Sequence, residues 1–174
     1  MEIKKTVDMK GGILVGHDGS RFSDHAVSWA LKLAVRLSYD VTVVRAWVLT
    51  TAPRPETWSP GYVPPLADFA DATRKALEAD VAPLLRDFPT VNVSCQAVHG
   101  SPAQRLLETS VHADLLVVGA RGRGGFRGLT LGSVSEKLVR HATSTVVVVR
   151  EPSNDPAPAA EIEYDAGMGM GDRP

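Results

Sequence analysis

Cysteine is nearly absent from this 174-residue chain: Cys95 stands alone. One thiol cannot close an internal disulfide, so a stapled extracellular scaffold is excluded and a reducing compartment is expected. In the alternating run VNVSCQAV, Cys95 reads as a small core hydrophobe. Long apolar runs are absent too. None approaches the ~20 residues a membrane-spanning helix needs. The first residues, MEIKKTVDMKGG, are polar and lack the apolar stretch of a secretory signal. The expected location is the cytoplasm, with no membrane partner. A strong excess of one charge is also missing, since the formal net charge is −1. Residues 151–174 hold six acids and one base, which leaves the rest of the chain with about four more bases than acids. So mild an excess suits a small anionic ligand and argues against a nucleic-acid surface. No internal repeat is visible, and no His/Cys/Asp/Glu pattern has metal-ligand spacing.

What is present is alternation. Residues 12–16 (GILVG) read as a short buried strand. Asp24 to Leu37 shows helical spacing, with Ser23 as its N-cap and Ala26, Trp29, Ala30, Leu33, Ala34 and Leu37 on one face. VTVVRAW (41–47) is strand-like. A proline-rich loop follows, and Pro64-Pro65 can open a helix from Leu66 to Asp87 that Pro83 bends or ends. Residues 91–98 make a third strand. Ser101-Pro102-Ala103-Gln104 starts a third helix, running to about His112, with Ser101 as N-cap and Gln104 completing a capping box. Strands at 114–119 and 144–150 flank a fourth helix at 133–141. The order β-α-β-α-β-α-β-α-β predicts an α/β fold: a largely parallel sheet with helices on both faces. The expected organisation is a flexible N-terminus at 1–9, one domain over 10–151, and a disordered acidic tail at 152–174.

Two loops leave strand ends with unusual chemistry. One is Gly16-His17-Asp18-Gly19-Ser20, after the first strand. The other runs from Gly119 to Gly132 after the fourth, is rich in glycine and arginine, and opens a helix at Gly132-Ser133-Val134-Ser135. Free N–H groups at a helix start, with the helix dipole, favour an anion. Glycines let the backbone approach phosphate oxygens closely. Ser133 and Ser135 add hydroxyls, and Arg121, Arg123 and Arg127 add positive charge. These features suit a polyphosphate. Neither G-x-x-x-x-G-K-[ST] nor G-x-G-x-x-G is present, which argues against a P-loop NTPase and a dinucleotide fold.

The spacing that does occur is Gly119-x-x-Gly122, nine residues, then Gly132-Ser133. With VGHDGS after strand one, VTVVRAW as strand two and GSP before helix three, the chain resembles the universal stress protein family in its ATP-binding branch. The resemblance covers about residues 10–151. It implies an open five-stranded sheet of order 3-2-1-4-5, with strands one and four adjacent. It also implies ATP, with Mg2+, as ligand. By position, Asp18 would contact the adenosine, with Gly16 and His17 lining the end of strand one. Ala46 would hold the adenine edge through its backbone. Gly119 and Gly122 would pack against ribose and phosphates. Gly132, Ser133, Val134 and Ser135 would grip the phosphates. Arg121, Arg123, Gly124 and Gly125 would complete the loop. In that sheet order strand five is an edge, and its apolar run STVVVVR should not stay bare; pairing with a second copy, as in relatives that dimerise this way, makes a homodimer through residues 144–150 the expectation, along with an unidentified protein partner. Arg45 stands where many relatives have histidine, and Ser144-Thr145 where many have Cys-Pro.

Other readings of the same residues stay open. Asp18 can serve as a turn or cap residue, and the arginines, Arg127 above all, as a solvated patch. His25, His99, His112 and His141 are scattered and read as structural or surface groups; His17, beside Asp18, is the histidine placed to reach the site. No water-orienting glutamine, arginine finger or catalytic lysine stands out. The expected function is a nucleotide-regulated stress-response or signalling factor that binds ATP. The alternatives are a slow ATP hydrolase and a protein-interaction module with a vestigial nucleotide site.

Overall fold

The computed structural model describes residues 3–124 and 131–151. Five strands and four helices alternate: β1 (Ile13–Gly16), α1 (Arg21–Leu37), β2 (Val41–Trp47), α2 (Leu66–Leu85), β3 (Val93–His99), α3 (Pro102–Ser110), β4 (Leu115–Gly119), α4 (Ser133–His141) and β5 (Thr145–Val149). All four strand pairings are parallel and the sheet order is β3-β2-β1-β4-β5. β1 therefore lies centrally, Ile13 facing Val41 on one side and Leu115 on the other.

Because side chains alternate along a strand, the sheet feeds two cores. On one face Ile13, Val15, Val41, Val43 and Val117 pack with Ala26, Val27, Ala30, Leu31 and Ala34 of α1 and Leu77 and Val81 of α2. On the other, Leu14, Val44, Val98, Leu116 and Val118 pack with Leu106 of α3 and Leu138 of α4. The apolar runs of β1, β2 and β4 are long because both faces are covered.

Several sequence expectations shift. α1 starts at Arg21, three residues early, because Ser20 is the cap: its backbone is extended and its Oγ accepts the Ser23 N–H at 3.3 Å. Ser23 Oγ instead donates back to Ser20 O at 2.6 Å and is buried. The buried stripe is accordingly Ser23, Ala26, Val27, Ala30, Leu31 and Ala34, and Trp29 and Leu37 turn outward. Pro83 lies inside α2, which ends two residues later at Leu85. Ser101 caps α3 by position without a side-chain bond, and Gln104 bonds Glu108 at 2.8 Å, so the capping box does not form. β3 begins at Val93 where Val91 was expected.

The segment expected to be a flexible lead-in makes contacts along β3. Lys4 O accepts the His99 N–H at 2.8 Å. Gln96 receives the Asp8 N–H and donates to Asp8 O. Val7 and Met9 pack on the second core. The acidic tail from residue 152 lies outside the described residues.

Candidate functional site

Strand order reverses between β1 and β4, since β1 continues outward to β2 and β3 while β4 continues to β5. Loops leaving the carboxyl ends of the strands diverge there, which opens a crevice in a sheet of this kind. A cavity of about 570 Å³ occupies it. It is lined by the ends of β1, β2 and β4, by Thr73 of α2, by Pro102 and Leu106 of α3, and by the start of α4.

One end of the cavity is built from backbone. Asp18 joins the two loops that flank it. Its Oδ1 accepts the Ser20 N–H at 3.0 Å and the Ser20 hydroxyl at 2.6 Å. Its Oδ2 accepts the Arg123 N–H at 2.9 Å. Burial alone would raise the Asp18 pKa; the bonds from Ser20 and Arg123 outweigh it and hold the carboxyl below the usual range. The loops touch so closely that a side chain at either of two points would have to displace a neighbouring one. A Cβ on Gly122 would lie 2.5 Å from Asp18 Oδ2, and one on Gly19, at φ +82°, would collide with the Arg123 guanidinium. Gly119 has a different reason to be glycine: a Cβ there would lie 2.7 Å from the backbone of Phe22, under α1. A Cβ on Gly124 would meet none of the described residues within 4 Å.

α4 then begins with Gly132 as N-cap and no side-chain cap. The Gly132 N–H is taken by Ala120 O at 2.7 Å. The first-turn amides that follow lack intrahelical acceptors by the geometry of any helix start. Ser135 is buried, and its hydroxyl is shared between Ala120 O at 3.0 Å and Gly132 O at 2.9 Å. That hydroxyl pins the helix start to the end of β4. Arg121 packs its guanidinium 5.9 Å from the Phe22 ring centre while lining the cavity.

The other end is built from β2 side chains. His17 is buried, and its Nδ1 lies 2.6 Å from Arg45 Nη2. A guanidinium only donates, so Nδ1 accepts and the ring proton sits on Nε2, 2.9 Å from Asp24 Oδ1. Burial, with the Arg45 charge, outweighs the Asp24 bond and lowers the His17 pKa, so the ring is neutral at pH 7. Arg45 Nη2 also bonds Asp80 of α2 at 2.7 Å. Trp47 stands edge-on to His99 at 4.9 Å. Two buried donors here, Arg45 Nε and Trp47 Nε1, have no hydrogen-bond partner among the described residues. Between them lies Ala46. The β1–β2 ladder ends where the His17 N–H donates to Val44 O at 2.9 Å. Backbone groups on that edge alternate by two, so those of Ala46 point past the end of β1.

Of the residues named from the sequence, Gly16, His17, Asp18, Ala46, Gly119, Arg121, Gly122, Arg123, Gly124, Gly132, Ser133, Val134 and Ser135 all lie around this one cavity. Gly125 falls outside the described residues, as does Arg127. Sequence reasoning did not single out Trp47, Thr73, Asp24 or Asp80. The available signal was Arg45 itself: a cation inside an otherwise buried strand requires acidic partners nearby. Among the described residues no group of three His, Cys, Asp or Glu could hold a metal ion. None of the described helices is long and apolar enough to cross a membrane.

Comparison with known proteins places this geometry in context. The model of the universal stress protein family matches residues 10–150. A universal stress protein of Mycolicibacterium smegmatis is 35% identical over 147 residues, covering 82% of this chain and 47% of the relative. Universal stress protein Rv2623 of Mycobacterium tuberculosis is 34% identical over 139 residues, covering 80% of this chain and 45% of the relative. The chain thus spans less than half the length of these curated relatives. Among solved structures, UspA from Lactobacillus plantarum superposes with a TM-score of 0.63 at 22% identity, over 83% of this chain and all of that one. A universal stress protein in complex with cAMP gives 0.58 at 21%, over 84% of this chain and all of that one. An Arabidopsis thaliana family member with AMP bound gives 0.53 at 20%, over 87% and 97%. At these identities the structural likeness speaks for the fold.

Proposed function

This chain belongs to the universal stress protein family, and from that premise we propose that it binds an adenine nucleotide, ATP with Mg2+, in the crevice between β1 and β4. The observation that carries the proposal is the pairing of two complementary ends in one cavity. At one, the amides of Ser133 and Val134 begin a helix whose cap is a bare glycine. At the other, Ala46 offers backbone beyond the β1–β2 ladder, beside two unmet buried donors. The first suits phosphate and the second suits a purine. Family members bound to cAMP and AMP support an adenine nucleotide as the ligand class.

We read the site as a binder whose occupancy regulates a stress response or a signalling partner. Its two best candidates for acid–base work are already engaged: His17 by Arg45 and Asp24, and Asp18 by Ser20 and Arg123. The outer edge of β5 is an apolar strand that pairs, among described residues, with β4 alone. A second copy laid on that edge would cover it and make a two-fold homodimer.

Titration calorimetry with ATP and Mg2+, together with mass spectrometry of any nucleotide that co-purifies, tests the proposal. Saturable binding of one ATP per chain is expected. Nucleotide-free protein that gives no heat with ATP would overturn it.

A further inference from the structure

Asp18 is expected by position to contact adenosine, yet its carboxylate already accepts three hydrogen bonds from the protein. Both oxygens are used, Oδ1 on Ser20 and Oδ2 on the Arg123 amide 105 residues away in sequence. Gly122 passes so close to Oδ2 that a Cβ there would lie 2.5 Å from it and would displace the carboxylate. On the other side of the junction, the Arg123 side chain lies over Gly19. The contact is therefore a clasp between the loop after β1 and the glycine loop, made from three neighbouring fits. The peptide it holds, residues 122–123, lies in the wall of the cavity beside the start of α4.

From this geometry we infer that Asp18 is a positioning residue for the phosphate cradle: it ties the glycine loop against the loop after β1 and acts on the nucleotide through that loop. The inference rests on the nucleotide-binding proposal and deepens it. It also makes a claim of opposite sign to simple electrostatics. A carboxylate near phosphates repels them, so removing its charge should tighten phosphate binding if charge were all that mattered. If the clasp organises the cradle, removing it weakens phosphate binding instead, because the loop must then be ordered at the moment of binding.

Two variants break the clasp from opposite sides. Asp18→Ala removes the carboxylate. Gly122→Ala keeps the carboxylate and drives a methyl between it and the loop. For each, and for wild type, hydrogen exchange is read at the Arg123 amide in nucleotide-free protein. Affinities for ATP and for adenosine are then measured by NMR titration at fixed Mg2+, and their ratio isolates the phosphate contribution. In both variants the Arg123 amide should exchange at least about tenfold faster, and the ATP-to-adenosine affinity ratio should fall by about tenfold or more, the loss of one charged-group hydrogen bond. Adenosine affinity should stay near wild type, which a general loss of structure would not allow. Unchanged exchange at Arg123 in Asp18→Ala overturns the inference. So does an unchanged ratio, which with a falling adenosine affinity would make Asp18 a direct adenosine contact, and so does a raised ratio, which would leave its charge as the whole of its effect. Wild-type protein that binds neither ligand removes the nucleotide proposal and this inference together.

Discussion

The two ends of the cavity satisfy their hydrogen bonds in opposite ways. At the glycine end the loop has met its own needs and only the first-turn amides of α4 stay open, as at any helix start: Asp18 takes the Arg123 amide, Ala120 O takes the Gly132 amide, and the Ser135 hydroxyl returns to backbone. At the β2 end Arg45 Nε and Trp47 Nε1 are buried without partners among the described residues. An unmet buried donor costs about 1–3 kcal/mol, so the β2 end carries a penalty that the glycine end does not. The glycine end is shaped in advance, whereas the β2 end keeps two donors unmet among the described residues. Shape and hydrogen-bond drive are thus divided between two strands of one sheet.

That division breaks most visibly at Gly119. If the motif glycines served only a ligand, a side chain here would cost affinity and spare the fold. The structure says otherwise, because a Cβ meets the backbone of Phe22, which cannot swing aside as a side-chain tip can. Gly119→Val should lower stability by about 2–3 kcal/mol through overpacking between β4 and α1. Urea denaturation of nucleotide-free protein reads it directly. Wild-type stability would return Gly119 to a ligand role.

The same contrast explains what could be read from the chain. The sheet order and the exact bounds of β2 and α4 follow from strong periodicity and from the resemblance, and the structure agrees. The start of α1 was missed because Ser20 and Ser23 are both good caps; Asp18 settles the matter by ordering Ser20. Trp29 was placed inward because a stripe through it looks apolar, but starting the helix at Arg21 leaves the Val27–Leu31 side against the sheet. The glycine end was legible because glycine spacing survives as text. What each glycine is for was not, since Gly119 answers to Phe22 and Gly122 to Asp18, both distant in sequence. The β2 end was barely legible. Trp47 reads like any core aromatic, and its unmet N–H depends on what β3 and α2 fail to supply.

Trp47→Phe sharpens the β2 side. It removes the unmet N–H and part of a buried ring. Lost packing should cost about 1–2 kcal/mol, between a methyl deletion and full truncation. Relief of the buried donor returns a comparable amount, about 1–3 kcal/mol. Stability without nucleotide should therefore change by less than about 1 kcal/mol, which thermal denaturation can resolve. ATP affinity should fall by about fivefold or more if the ligand takes that N–H, a loss of about 1 kcal/mol or more. A large stability loss with unchanged affinity would mean that the indole serves packing alone, and the asymmetry between the two ends would vanish.

The smallest effect lies at Gly124, and its smallness is the point. None of the described residues stands within 4 Å of a Cβ there, and its backbone is not in the left-handed region that favours glycine. Alanine narrows the unfolded ensemble at no native cost, a gain of up to about 1 kcal/mol where the loop tolerates it. Gly124→Ala should leave urea stability within about 0.5 kcal/mol of wild type, or slightly above it. This follows because the clasp ends at the Arg123 amide and its geometry constrains nothing beyond. A drop of 2 kcal/mol would mean that the ordered cradle extends further along the loop than the Asp18 contact. The glycine end would then owe its shape to the whole run of glycines, and not to one carboxylate holding one peptide.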